Sequence, residues 1–170
     1  MLEEIIQTAL REDIGDGDHS SLACIPENAQ GTAKLLVKDT GIIAGIELAE
    51  KVCFHVDPKL RFEKRIDDGT SVKPGDIAFY IHGSARSILT AERTLLNFMQ
   101  RMSGIATQTN EYVQLIKGLK TTLLDTRKTT PGIRFTEKWA VRIGGGMNHR
   151  FALYDMIMLK DNHIDFAGGI

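Results

Sequence analysis

Leu124-Asp125-Thr126-Arg127-Lys128-Thr129-Thr130-Pro131-Gly132 is the stretch whose reading decides the fold. It follows a short apolar run at 121–125, which reads as a strand, and Pro131 with Gly132 marks the end of a tight polar loop. Residues 135–142 then carry a helical pattern that stops at Gly144-Gly145-Gly146. A second apolar run at 152–160 ends in Lys160-Asp161-Asn162-His163. Strand, basic loop, helix, strand is the opening of an α/β unit. In such units ligands bind beyond the carboxyl ends of the strands, which is where this spacing puts the basic loop.

Working back toward the amino terminus, the pattern changes. Residues 2–13 read as an amphipathic helix on Leu2, Ile5, Ile6, Ala9 and Leu10, followed by a tight acidic turn from Asp13 to Asp18. That turn lacks the glutamate at the twelfth position that a calcium loop needs. Residues 32–38 and 41–45 read as strands, 47–56 as a helix, 60–66 as a half-exposed strand, and 77–82 as its partner after a Pro74-Gly75 turn. Between 84 and 118 an apolar helical stripe (Ile88, Leu89, Leu95, Leu96, Met99, Met102) is expected to break at Ser103-Gly104 before a second helix. The methionines read as core filler. The expected fold class is α/β. An α+β unit with a largely antiparallel sheet and a helical connector occupies 1–103, and an incomplete α/β barrel begins over 104–170.

Composition narrows the function classes. The chain has 170 residues and a formal net charge of -1, which argues against a nucleic-acid partner. Between Asp125 and His163, however, seven Lys or Arg face four acids, while the remaining residues carry an acidic excess. A basic segment on an acidic body points to a small anionic ligand. No apolar run reaches the ~20 residues of a membrane span, and the start Met1-Leu2-Glu3-Glu4 lacks the basic region of a signal peptide, so the expected compartment is the cytoplasm. Cys24 and Cys53 form neither a disulfide framework nor a metal knuckle, and Cys53 reads as a buried reduced thiol.

Three motifs carry the chemistry. The first supplies Arg127 and Lys128, a planar fork and a compact ammonium suited to carboxylates and phosphates. The second, Gly144-Gly145-Gly146-Met147-Asn148-His149-Arg150, offers glycines that let backbone approach a ligand, with His149 and Arg150 as donors. The third is Leu159-Lys160-Asp161-Asn162-His163. Each alone has an ordinary explanation: a solvated loop, a flexible glycine run, a structural histidine. Their repetition within 40 residues of sequence, at two strand ends and one intervening loop, favours one anion site.

In this order the motifs closely resemble the quinolinate phosphoribosyltransferases. The resemblance runs along the chain through Glu12-Asp13-Ile14-Gly15-Asp16-Gly17-Asp18, Ala91-Glu92-Arg93-Thr94-Leu95-Leu96-Asn97 and Ser103-Gly104-Ile105-Ala106-Thr107. It implies transfer of a phosphoribosyl group from phosphoribosyl pyrophosphate to quinolinate with loss of carbon dioxide, in the synthesis of NAD. It further implies that Arg127, His149 and Arg150 clamp quinolinate's two carboxylates, that Lys128 and Lys160 are catalytic lysines against the substrate anions, and that Thr126 touches substrate. Arg93 corresponds to an arginine reaching the neighbouring site of a homodimer. Magnesium is implied as cofactor, its acidic ligands being expected beyond residue 170, so these 170 residues by themselves are expected to be inactive. Two rivals stand beside this reading. One is a paralogous protein of the same fold, such as that associated with molybdate transport. The other is a biotinyl- or lipoyl-type carrier, whose hairpins the segment 68–76 resembles, but no Met-Lys-Met-like or Asp-Lys-Ala turn for modification is present.

Overall fold

In the computed structural model, which describes residues 1–169, α1 (Leu2–Ile14) buries Ile6 and Leu10 one turn apart. The acidic turn after it does more than reverse the chain. Asp18 accepts the Ser21 backbone N–H at 3.0 Å and caps the short helix α2 (His19–Cys24), an element not expected from the sequence. Asp13 and Asp18 also accept the hydroxyls of Thr94 (3.0 Å) and Thr90 (3.3 Å), so the turn docks on the long helix described below.

The strands fall near the expected stretches, and the burial of the first alternates along its length. They are β1 (Gln30–Leu36), β2 (Gly41–Ile42), β3 (Arg61–Lys64), β4 (Ser71–Val72) and β5 (Ile77–Ser84), with α3 (Ile46–Val56) between β2 and β3. They make two antiparallel sheets, β1-β5-β3 and β2-β4. Thr32 and Arg61 flank His82 in register, and a bulge falls between Leu35 and Leu36. The core is one buried cluster that gathers Phe79 and Ile81 from β5, Leu48, Val52 and Cys53 from α3, and Leu95, Met99 and Met102 from the long helix described below. Fully burying a side chain such as Phe79 contributes about 1.5–3 kcal/mol.

The helix α4 (Ala85–Leu115) runs 31 residues without a break, which corrects the interruption expected at Ser103-Gly104. Ser103 and Thr107, one turn apart, accept the backbone N–H groups of Ala44 and Ile42, each at 2.9 Å. The small polar residues that read as a helix break are a docking stripe for the backbone around β2. Gly104 faces open space, and a helix held this firmly by packing absorbs the ~1 kcal/mol that an interior glycine costs. Met99 and Met102 are buried core, as expected.

Beyond α4 the expected helix appears as α5 (Arg134–Ile143), but the two strands flanking it are reduced. The run at 121–125 forms a single parallel bridge, Leu124 with Met147, and the run at 152–160 forms no strand. Tyr154 and Ile157 are 78% and 89% exposed there. A parallel strand is held by strands on its flanks, and among the described residues no strand pairs with this run. His163 and its neighbours lie instead on the short helix α6 (Asp161–Phe166). What remains is a single parallel bridge that joins the chain on the two sides of α5.

Candidate anion-binding site

The parallel bridge aligns two of the three motifs. With Leu124 paired to Met147, Asp125 N donates to Met147 O (3.1 Å) and Met147 N to Leu123 O (2.9 Å). The chain segments leave this pair in the same direction, so Thr126, Arg127 and Lys128 emerge beside Asn148, His149 and Arg150 at one edge. Strands were expected from the sequence at 121–125 and 152–160 with the glycine motif as the loop between; the adjacency comes instead from the pairing of Leu124 with Met147.

A buried charge pair locks the register. The Asp125 side chain is 6% exposed and the Lys138 side chain 4%, and their carboxylate and ammonium are in direct contact. Asp125 also accepts the Asn148 amide (2.5 Å) and the His149 backbone N–H (2.9 Å), while Asn148 donates as well to Lys138 O at 2.8 Å. Ion and hydrogen bonds saturate this carboxylate, which is the condition for burying one.

A second knot fixes the far end of the first motif. Glu137, its side chain 7% exposed, accepts the Thr130 N–H (2.9 Å) and hydroxyl (2.8 Å) and the Arg101 guanidinium at 2.9 and 2.6 Å. Burial pushes its carboxyl upward, but the bonds from Thr130 and Arg101 outweigh that and hold it below the ordinary glutamate range. Arg134 donates to Thr129 Oγ1 (2.9 Å) and to Phe151 O (3.1 Å) and lies over the Phe151 ring. Lys138 and Arg134, counted in the basic excess of the sequence, are therefore structural.

The cations left for a ligand are fewer and better defined. Arg127 is half-buried, and its Nε is buried without a hydrogen-bond partner. Arg150 is 8% exposed and uses Nη1 on Met156 O at 3.2 Å. His149 is half-buried. Thr126 Oγ1 accepts the Lys128 backbone N–H at 3.0 Å, turning the loop so that Lys128 stands in solvent. Lys160 is exposed at the start of α6, its backbone tied to His163. Arg93 is exposed on α4, about 12 Å along the helix axis from Arg101. Among the described residues no hydrogen bond or ion pair joins Lys160 or Arg93 to the two aligned motifs.

The glycine triplet also has a different role from the expected ligand approach. A Cβ on Gly144 would lie 2.4 Å from Ala106 O, and one on Gly146 would lie 2.8 Å from a Val141 methyl. The triplet is a spacer that lets α5 pack on α4. Three of the four acids of this segment are already engaged within the fold. Asp125 and Glu137 are engaged as described, and Asp155 accepts the backbone N–H groups of Phe151 and Ala152 at 2.6 and 2.7 Å.

Two family models divide the chain in the same order as its architecture. "Quinolinate phosphoribosyl transferase, N-terminal domain" matches residues 18–103 and the corresponding C-terminal domain matches 105–170. The chain belongs to the quinolinate phosphoribosyltransferase family. Among its relatives, quinolinate phosphoribosyltransferase [decarboxylating] 1b of Nicotiana tabacum is 51% identical over 99% of this chain and 48% of its own length. A chloroplastic nicotinate-nucleotide pyrophosphorylase [carboxylating] of Oryza sativa is 49% identical over 99% of this chain and 45% of its own length. The crystal structure of NadC from Streptococcus pyogenes superimposes with a TM-score of 0.94 at 42% identity, covering 99% of this chain and 60% of that one. The chain thus spans about half the length of the curated relatives it matches. Its mixed α/β fold with an antiparallel sheet is that of the family's solved members. No helix among the described residues is long and apolar enough to cross a membrane.

Proposed function

We propose that this chain supplies the quinolinate-binding side of a phosphoribosyltransferase active site. The observation that carries the reading is the buried, unpartnered Nε of Arg127, set at the same edge as the largely buried Arg150. A buried guanidinium donor without an acceptor is costly unless a ligand supplies one, and a carboxylate takes two parallel bonds from such a fork. Quinolinate carries two carboxylates. Arg127 and Arg150 receive them, and the half-buried His149 adds a donor between.

In the reaction the pyridine nitrogen bonds to the anomeric carbon of the phosphoribosyl donor as the bond to pyrophosphate breaks. The carboxylate beside the nitrogen then leaves as carbon dioxide. Its electron pair stays on the ring, stabilised by the adjacent positive nitrogen until a proton takes it up. Nicotinate mononucleotide and pyrophosphate remain. The protein's share is to hold two polyanions together, so fixed cations and positioning do most of the work. Lys128 and Lys160 are the ammoniums for the donor's phosphates, and Thr126 is a hydroxyl contact. Magnesium comes from the family expectation alone, and no residue described here is assigned to it. Arg93, exposed and with no ion-pair partner among the described residues, serves the neighbouring site of a homodimer. The division at 103/104 and a cytoplasmic location belong to the same proposal. Plant relatives are named as chloroplastic or mitochondrial, and cell fractionation tests the compartment.

Calorimetry with quinolinate and nicotinate, on the enzyme at the full length of its relatives, tests the reading. A two-carboxylate clamp binds quinolinate at least about tenfold more tightly, the worth of one charged hydrogen bond. Equal affinities reject it and favour a paralogue with another substrate.

A further inference from the structure

The tripeptide Thr126-Arg127-Lys128 is held at both ends by side chains of one helix. On one side Lys138 of α5 grips Asp125. On the other, Arg134 of α5 grips the Thr129 hydroxyl at 2.9 Å, and Glu137 of α5 takes both the backbone N–H and the hydroxyl of Thr130. Glu137 differs from the other two because it also binds α4, through two nitrogens of Arg101 at 2.9 and 2.6 Å.

A buried carboxylate is a poor choice for holding two helices together. Its desolvation cancels much of what the pair contributes, and apolar residues of similar size often do as well. What it gives is direction: four short bonds fix where Thr130 points and how the loop leaves α5. Arg127 lies three residues before Thr130, and its guanidinium has no protein partner at Nε to fix it from the other side.

We propose that Glu137, anchored by Arg101, is a positioning residue that sets the loop so that Arg127 meets a substrate carboxylate. This rests on the reading of Arg127 given above. Glu137 touches no substrate; it acts through Thr130.

The test compares quinolinate binding and steady-state kinetics for E137Q and R127A in the enzyme at its relatives' full length, well below the melting temperature of each. Gln keeps the shape but loses the charge and one acceptor. The expected result for E137Q is a rise in quinolinate Kd and KM of about tenfold or more, because small misplacements of a binding group are costly. The kcat at saturation should change far less. A merely structural role lowers the melting temperature and leaves the Kd of the folded enzyme unchanged, and that outcome overturns the inference. If R127A also binds normally, the substrate assignment fails; if only E137Q does, the positioning role fails alone. Should E137Q not fold, T130V decides the matter. It removes the hydroxyl and keeps the backbone bond, so about threefold weaker binding is expected, and unchanged binding overturns the inference.

Discussion

Cys53 shows how burial sets chemistry at a single residue. It is completely enclosed on α3, and desolvation, reinforced by the nearby Glu50 carboxylate, pushes its thiol up to about 12. Cys24 is exposed. Thiolate is the reactive form, so a thiol reagent at neutral pH should titrate one cysteine per native chain, and the second only in denaturant. Two fast-reacting thiols would contradict the packing of α3. Glu137 carries the pH dependence. Its folded-state affinity for a proton is depressed, so its contribution to stability is present above the unfolded value of 4.5 and is lost as pH falls through the lower folded value. Urea unfolding should find E137Q less stable than the wild type at pH 7, with the gap narrowing as pH falls below 4.5. A gap independent of pH would mean the charge is not what Thr130 and Arg101 hold. The burial of Cys53 was readable from the apolar helical pattern around it, whereas the roles of Glu137 and Lys138 were not, because Glu and Lys are by default surface residues and their buried positions follow from tertiary contacts alone.

Among the elements, α1, α3 and α5 were legible because apolar residues recur with the helical period, β3 because apolar and charged residues alternate in its sequence, and β5 because its short apolar run follows a Pro-Gly turn. The continuity of α4 was not, since Ser103 and Gly104 are weak helix formers, and the tertiary partners of the stripe, Ala44 for Ser103 and Ile42 for Thr107, lie some 60 positions away. The glycine triplet was read as a ligand cradle, but Gly144 fits because a larger residue would collide with Ala106 of α4. Gly144→Ala places a Cβ 2.4 Å from a backbone oxygen, which can yield only by moving the helix. A loss of about 1–3 kcal/mol, the usual cost of overpacking, is expected in chemical denaturation. A variant as stable as the wild type would show that α5 does not rest on α4 in this way. The consequence reaches the site, because α5 carries all three side chains that brace the basic loop.

For the whole molecule, the sequence revealed the order of parts and the cations themselves, and it overstated how many are available. Arg134 and Lys138 are structural, Lys160 and Arg93 stand apart, and the run at 152–160 shows that apolar composition records a wish for burial without naming the partner. What the fold does bring side by side is the backbone of the two motifs that carry Arg127, His149 and Arg150, through a single parallel bridge and the buried carboxylate of Asp125. The central claim is that this edge binds a pyridine dicarboxylate. Titration of quinolinate into the Arg127→Ala variant of the enzyme at its relatives' full length tests it most directly. Leaving a carboxylate without its buried partner should weaken binding by at least about 3 kcal/mol, more than a hundredfold. A variant that folds normally and binds quinolinate with wild-type affinity would contradict the claim.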